Sequence, residues 1–262
     1  MIYHFDTTAS TNDDARDEKY REGDVVWADF QTAGRGQRGH EWHSRKGENL
    51  TFSVVLEPLF VPIAEQFSVS EVVALSLVDM LAEYGIGAKI KWTNDIYVGD
   101  RKLVGILIEH SLAATTLRRT IVGVGINVNQ TEFDPSLPNP VSMAQLLGKE
   151  LNAEEVLRCF LKHLQRNYEL LREAKNEELK NGNSSNCQLS IVNCQLNDEN
   201  HLHERYNAWL YRKNEYHTYA LPSGEKFRAK IVGTAPSGAL RLEDEAGKTK
   251  DYLFKEVEFV IF

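Results

Sequence analysis

Gly34-Arg35-Gly36-Gln37-Arg38-Gly39, followed by His40, Glu41 and Trp42, stands directly behind the apolar run Val25-Val26-Trp27-Ala28-Asp29-Phe30. The apolar run reads as a strand over 25–31. The glycines cannot extend it, because residues without Cβ weaken a strand interior while giving the chain access to φ > 0 and close approach to a neighbour. Arginine adds a fork of donors matched to carboxylate or phosphate. A strand, then glycines, then cations therefore reads as a loop that closes over an anion. Taken alone, the same six residues also fit a solvated basic turn.

Composition narrows the class. The chain has 262 residues, 42% hydrophobic and 26% charged, which fits a soluble protein with one large domain or one large and one small. No apolar run approaches the roughly 18 residues of a membrane span. Met1-Ile2-Tyr3-His4-Phe5-Asp6 lacks the basic start and apolar core of a signal peptide. Three cysteines (Cys159, Cys187 and Cys194) form no CxxC pair, and so sparse a count fits a reducing cytoplasm. The expectation is a cytoplasmic protein with no membrane partner. A net charge of −8 argues against general nucleic-acid affinity. In an acidic chain, Arg35, Arg38, Lys91 and Lys102 would form a local exception of the kind that marks an anionic ligand. His40, His43, His201, His203 and His217 have no ligand spacing with Cys or Asp, so no metal held by protein ligands alone is expected. No Gly-x4-Gly-Lys-Ser/Thr loop occurs.

Along the chain, Ser10-Thr11-Asn12-Asp13-Asp14 predicts a capped helix start running to about Tyr20. Leu50 to Leu56 alternates as a strand, and residues 65–84 carry a broad apolar face at helical spacing. Strands are expected at 88–92, 95–98, 102–109 and 118–128, with a hairpin at Gly99-Asp100. Pro135, Pro138 and Pro140 mark a loop, and 153–174 a second long helix. Residues 176–202 contain the near-duplicates Asn186-Cys187-Gln188-Leu189 and Asn193-Cys194-Gln195-Leu196. They read as a mobile surface insertion, with a helix resuming near Glu204. From about Tyr216 onward, short strands and turns predict a small β-barrel.

Several motifs in order resemble the biotin protein ligases: Ser10-Thr11-Asn12, Gln31 through Trp42, Lys91-Trp92-Thr93-Asn94-Asp95-Ile96-Tyr97, Arg101 through Glu109, and Gly123-Val124-Gly125-Ile126-Asn127. The resemblance implies an α+β fold related to class II aminoacyl-tRNA synthetases, a mixed sheet backed by helices. It implies a catalytic domain over 1–212, with 176–202 as insert, and an SH3-like β-barrel over 213–262. It also implies a two-step reaction. Biotin and ATP with Mg²⁺ give biotinyl-5′-AMP, and a lysine of a biotin carboxyl carrier protein then takes the biotinyl group. Few residues precede Ser10, too few for a helix-turn-helix, so a monofunctional type with no DNA partner is expected.

By the same resemblance, Lys102, Arg35 and Asp95 are the candidate catalytic residues. Biotin would meet Ser10, Thr11, Asn12, Gln31, Arg35, Gly36, Gln37, Lys102, Gly123 and Gly125. The nucleotide would meet Arg35, Gln37, Arg38, Trp42, Lys91, Asn94 and Asn127. The chemistry asks for such groups. Two anions, a carboxylate and an α-phosphate, must meet, and fixed cations and N–H donors offset their repulsion best where water is excluded. Neutral hydrogen-bonding side chains such as Ser10, Thr11 and Gln31 suit a ureido ring. Ser10 and Thr11 equally suit helix capping, Gly123 and Gly125 a β-bulge, Trp42 the core and Lys91 a structural ion pair. Asp95 has two open roles, proton acceptor for the incoming lysine or support for metal and phosphate. Gln37 stands where the family often has arginine, keeping hydrogen bonding but losing a fixed charge. Thr93 replaces the common proline and Val104 a usual small residue. The rival reading is a lipoate or octanoate ligase of the same fold, which would need a long apolar tunnel rather than a polar wall.

Overall fold

The computed structural model describes residues 1–39, 41–182 and 202–260, and of Arg38, Leu179, Asn181 and Gly182 only the backbone. Most of the expected insertion, residues 183–201, lies outside the described residues, as does the side chain of Arg38.

Strand β1 (Ile2–Phe5) pairs in parallel with β2 (Val25–Ala28), and the short helix α1 (Thr11–Asp14) lies between them in sequence. Strand β3 (Leu50–Leu56), helix α2 (Phe67–Glu83) and strands β4 (Lys89–Lys91), β5 (Asp95–Val98), β6 (Arg101–Ala113) and β7 (Thr116–Ile126) follow. They form one seven-stranded sheet in the order β1-β2-β3-β7-β6-β5-β4. Helices α3 (Met143–Leu147), α4 (Ala153–Gly182) and α5 (Leu202–Ala208) come next. Strands β8 (Tyr216–Ala220), β9 (Lys226–Thr234), β10 (Leu240–Asp244), β11 (Thr249–Tyr252) and β12 (Glu258–Phe259) make a second, antiparallel sheet in the order β11-β10-β9-β8-β12. Among the described residues no pairing of β11 with β12 closes this sheet into a barrel. None of their helices is long and apolar enough to cross a membrane.

Period-two patterning gives the large sheet two distinct faces. Phe52, Val54, Val122 and Val124 point one way into the core, where Phe52 meets Phe160 of α4 with ring centroids 5.3 Å apart. The rows Ser53–Gly123–Leu107 and Thr51–Gly125–Gly105 alternate with them across β3, β7 and β6, and this second face carries the site. Helices α2 and α4 are tied together by Asn167, whose amide donates to Ser76 Oγ (3.1 Å) and Asp79 Oδ2 (3.0 Å).

The elements depart from expectation in several places. Helix α1 stops after one turn, because Arg119 takes the carbonyls of Ala15 and Asp17 (2.9 and 3.0 Å) that a longer helix would have used. Ser10 sits at its N-cap but its side chain makes no capping bond. Regular pairing of β2 ends at Ala28, and Gln31 rejoins the sheet only through an isolated bridge to Thr8. Helix α4 runs on to Gly182, past the expected end at 174, where Lys175 is paired with Glu65 and, one turn on, Glu178. Helix α3 was not expected. Ser142 and Gln145 form a reciprocal capping box and Gly148 closes the helix at φ 68°.

His203 joins three elements. Its Nδ1 lies 2.6 Å from Glu71 Oε1 on α2 and its Nε2 3.1 Å from the Thr234 carbonyl on β9. Both ring nitrogens face acceptors, which only the imidazolium satisfies. The Glu71 hydrogen bond outweighs burial and raises the His203 pKa above its usual value. The stability it contributes is therefore full below the unfolded-state value, about 6.5, and is lost as pH rises through the higher folded value. We expect Tm to fall as pH rises from about 6.5 through the raised folded value, with His203→Gln removing part of that slope. Identical slopes in the two proteins would contradict this linkage.

Candidate active site

The sheet face carrying the glycine rows forms the floor of a cavity of about 370 Å³. Glycine here permits close packing rather than a turn. A Cβ on Gly105 would lie 2.8 Å from Cζ3 of Trp42, and Cβ atoms on Gly125 and Gly123 would collide with the Trp42 ring and the Asn12 amide. The strip expected to bring backbone against a ligand is thus partly covered by the chain's own Trp42 and Asn12. The Trp42 indole Nε1 is buried without a hydrogen-bond partner, and so is Gln37 Oε1. Unpaired polar atoms inside a polar cavity are where a ligand finds its partners.

One wall is neutral and polar. Ser10, Thr11 and Asn12 are buried. Gln31 Oε1 accepts from the Thr11 amide (2.8 Å) and hydroxyl (3.1 Å). Ser53 Oγ lies 2.8 Å from Thr11 Oγ1 and 2.6 Å from Asn12 Oδ1. Packing of α1 against β2 and β3 fixes these groups, so their orientation is set before any ligand arrives.

Another wall is charged. Lys102, at the start of β6, places Nζ 2.8 Å from Asp95 Oδ1 and 5.8 Å from the centroid of the Trp42 ring. Lys91 Nζ lies 3.8 Å from Asp95 Oδ2. The β4–β5 pairing sets Lys91 against Asp95 and the hairpin between β5 and β6 brings in Lys102, while Asn94 is anchored through its amide to the Ile106 carbonyl (2.9 Å).

The glycine loop supplies the third side. Gly34 and Trp42 close it through a backbone bond (Trp42 N–H to Gly34 O, 2.9 Å) and an Arg35–Glu41 bridge. Arg35 departs from expectation. Its guanidinium donates to both oxygens of Glu109 (3.1 and 2.8 Å) and to Asp13 (2.7 Å). The Glu109 hydrogen bond raises the Arg35 pKa despite desolvation. Burial alone would raise Glu109, but bonds from Arg35 and Asn12 with the charge of Arg16 hold it below the usual carboxylate value. Arg35, Lys91 and Lys102 do line one cavity, yet each faces a carboxylate rather than forming a bare cationic patch.

Fourteen of the expected residues line this cavity: Ser10, Thr11, Asn12, Gln31, Arg35, Gly36, Gln37, Trp42, Lys91, Asn94, Asp95, Lys102, Gly123 and Gly125. Asn127 does not. It is buried just past the end of β7 and donates to the Val141 carbonyl (3.1 Å), pinning the segment before α3. A second cavity of about 300 Å³ shares Gln37, Trp92, Thr93, Asn94, Ile106 and Phe254 with the first.

Residues 3–127 match the model of the Biotin/lipoate A/B protein ligase family. That stretch carries a domain of this family. The bifunctional ligase/repressor BirA of Bacillus subtilis is 34% identical over 172 residues, 62% of this chain and 53% of the relative. The biotin–[acetyl-CoA-carboxylase] ligase of Paracoccus denitrificans is 35% identical over 139 residues, 50% of this chain and 57% of the relative. The chain thus spans about half the length of these curated relatives. Among solved structures, the biotin protein ligase from Aquifex aeolicus in complex with biotin and ATP superposes with a TM-score of 0.76 at 25% identity, covering 98% of this chain and 97% of that one.

Two further features in and around the cavity were not expected. Phe254, Val257, Glu258 and Phe259 come from the C-terminal sheet and line the cavity. That sheet is docked by the Trp92 indole donating to the Gly238 carbonyl (2.8 Å) and by Phe259 lying 5.2 Å from Lys91 Nζ. No local sequence signal encodes a contact across more than a hundred residues. Glu109 was visible as the end of the Arg101–Glu109 motif, but nothing in the sequence pairs it with Arg35.

Proposed function

We propose that this protein activates biotin with ATP and transfers the biotinyl group to a lysine of a biotin carboxyl carrier domain. What carries the reading is the meeting of a fixed neutral polar wall (Ser10, Thr11, Gln31), braced from behind by Ser53, with a lysine-bearing wall (Lys91, Lys102) in one cavity. The ureido ring, with N–H donors and a carbonyl acceptor, suits the first. The carboxylate suits the second.

In this scheme a biotin carboxylate oxygen attacks the α-phosphorus as the bond to the β-phosphate breaks and pyrophosphate leaves. Lys102 Nζ offsets the charge of the two approaching anions, and Asp95 orients it from 2.8 Å. One fixed donor of this kind is worth roughly 2.7–4 kcal/mol in acyl-transfer sites. Holding the two reactants aligned contributes roughly 7–11 kcal/mol more. The second cavity, meeting the first at Gln37 and Asn94, offers room for the nucleotide. The carrier amine then attacks the acyl carbon, AMP leaves, and Asp95 is the nearby carboxylate able to take the amine proton. Mg²⁺ supplies charge compensation on the triphosphate. Asp95 is shared between two lysines, so the residues present fit a metal that arrives on the nucleotide better than one held by protein alone.

The test is transfer of biotin to a purified carboxyl carrier domain with MgATP, together with pyrophosphate exchange. Exchange with biotin but not lipoate is expected. Exchange with lipoate alone would replace this reading by the lipoate-ligase one.

Gln37 gives a second expectation. A neutral amide at the junction of the two cavities holds a phosphate less firmly than a guanidinium, because charge-assisted bonds are about twice as strong. Gln37→Arg should slow release of free biotinyl-AMP by about tenfold. Equal release rates from the two proteins would remove the idea.

A further inference from the structure

Glu83, the last residue of α2, meets Cys159 and His163, which lie four apart on one face of α4. Cys159 Sγ is 3.2 Å from Glu83 Oε2, and His163 Nε2 is 2.9 Å from Glu83 Oε1. The three donor atoms all lie within 4.8 Å of one another. Tetrahedral ligands at about 2.0–2.3 Å from an ion are spaced roughly 3.3–3.8 Å apart, so little movement separates this cluster from a coordination geometry. None of the three lines either cavity, and the ligase reading gives them no task.

We propose that Glu83, Cys159 and His163 form a binding site for a divalent transition-metal ion of intermediate softness, Zn²⁺ being the representative. One sulfur, one imidazole nitrogen and one carboxylate oxygen are the donors such an ion prefers, and they disfavour Mg²⁺ and Ca²⁺, which want oxygen alone. The His163 side chain is buried, at 10% exposure, and held in place by α4, whereas the Glu83 side chain, at 44%, leaves the ion an open side for water.

Two events accompany binding. The Cys159 S–H bond breaks as sulfur joins the metal, and the proton goes to solvent. The Lys162 ammonium, 2.8 Å from Glu83 Oε1 and largely exposed, swings off the carboxylate. Burial and the Glu83 contact push the free thiol up to about 11, while Lys162 first, then Cys159 and His163, hold the Glu83 carboxyl down at about 2.

The test uses the full chain carrying Cys187→Ser and Cys194→Ser, which leaves Cys159 as the sole thiol, titrated with Co²⁺. One equivalent should produce a thiolate-to-cobalt charge-transfer band and the visible bands of a tetrahedral ion, both bleached by Zn²⁺. Cys159→Ser should abolish the charge-transfer band. His163→Gln should weaken binding by more than about tenfold, since even outer-shell partners are worth that much. Circular dichroism monitors folding of each variant. The site is overturned if no charge-transfer band forms, or if His163→Gln and Glu83→Gln leave the titration unchanged. None of these readouts depends on ligase activity.

Discussion

Lys102→Ala is expected to lower biotin-dependent ATP–pyrophosphate exchange by roughly 10²–10³-fold, the cost of removing one preorganised donor at a developing charge. Structure separates this loss from misfolding. The parts of Lys102 that hold the fold are backbone: its N–H donates to Asn139 O (2.7 Å) and its carbonyl accepts from Val141 N–H (3.0 Å). Alanine keeps both. Asp95 retains Lys91 at 3.8 Å, so no buried carboxylate is stranded. The comparison requires exchange rates alongside Tm and circular dichroism. A fall of less than about tenfold in a folded variant would leave the repulsion argument without its main cation.

Phe160→Ala should cost roughly 3–5 kcal/mol of stability, the range for emptying a buried aromatic site. Phe160 is fully buried, and its ring packs on Phe52 of β3 at 5.3 Å. It is therefore a direct link between α4 and the strand whose opposite face carries Ser53, which braces Thr11 and Asn12 at the cavity wall. Urea unfolding at 25 °C measures the loss. Because Phe160 does not line the cavity, the KM for biotin of the folded fraction should stay near the parent value. A cost under about 1 kcal/mol would mean that the helix layer collapses freely into the gap.

The two largest effects fall on different levels of the molecule, and they were unequally legible. Phe52 and its alternating neighbours are a local pattern, and so are the apolar stripes of α2 and α4; strand and helix periodicities set them directly. Lys102 was identified by the motif around it, and the Gly99-Asp100 turn sets where it enters β6. The Ser142–Gln145 capping box was also present in the sequence, although the proline-rich context masked it. Residue chemistry likewise favoured a polar wall at Ser10, Thr11 and Gln31.

Other features depend on distance in three dimensions. Arg35 reads as an unpaired cation, and only the fold brings Glu109 and Asp13 to 2.7–3.1 Å from it. Asn127 reads as a site residue, but the fold gives its amide the Val141 carbonyl as partner and leaves it off the cavity lining. The glycines at 123 and 125 read as bare backbone until Asn12 and Trp42 cover them. Cys159 and His163 share a helix face, but only the packing of α2 on α4 adds Glu83. Sequence determined the strands and helices, their apolar faces and the kinds of side chain available to the site, because these follow from spacing along the chain. Tertiary structure decided which charges are paired, which wall the C-terminal sheet supplies and what covers the glycines, because Coulombic and steric partners are chosen by proximity in space.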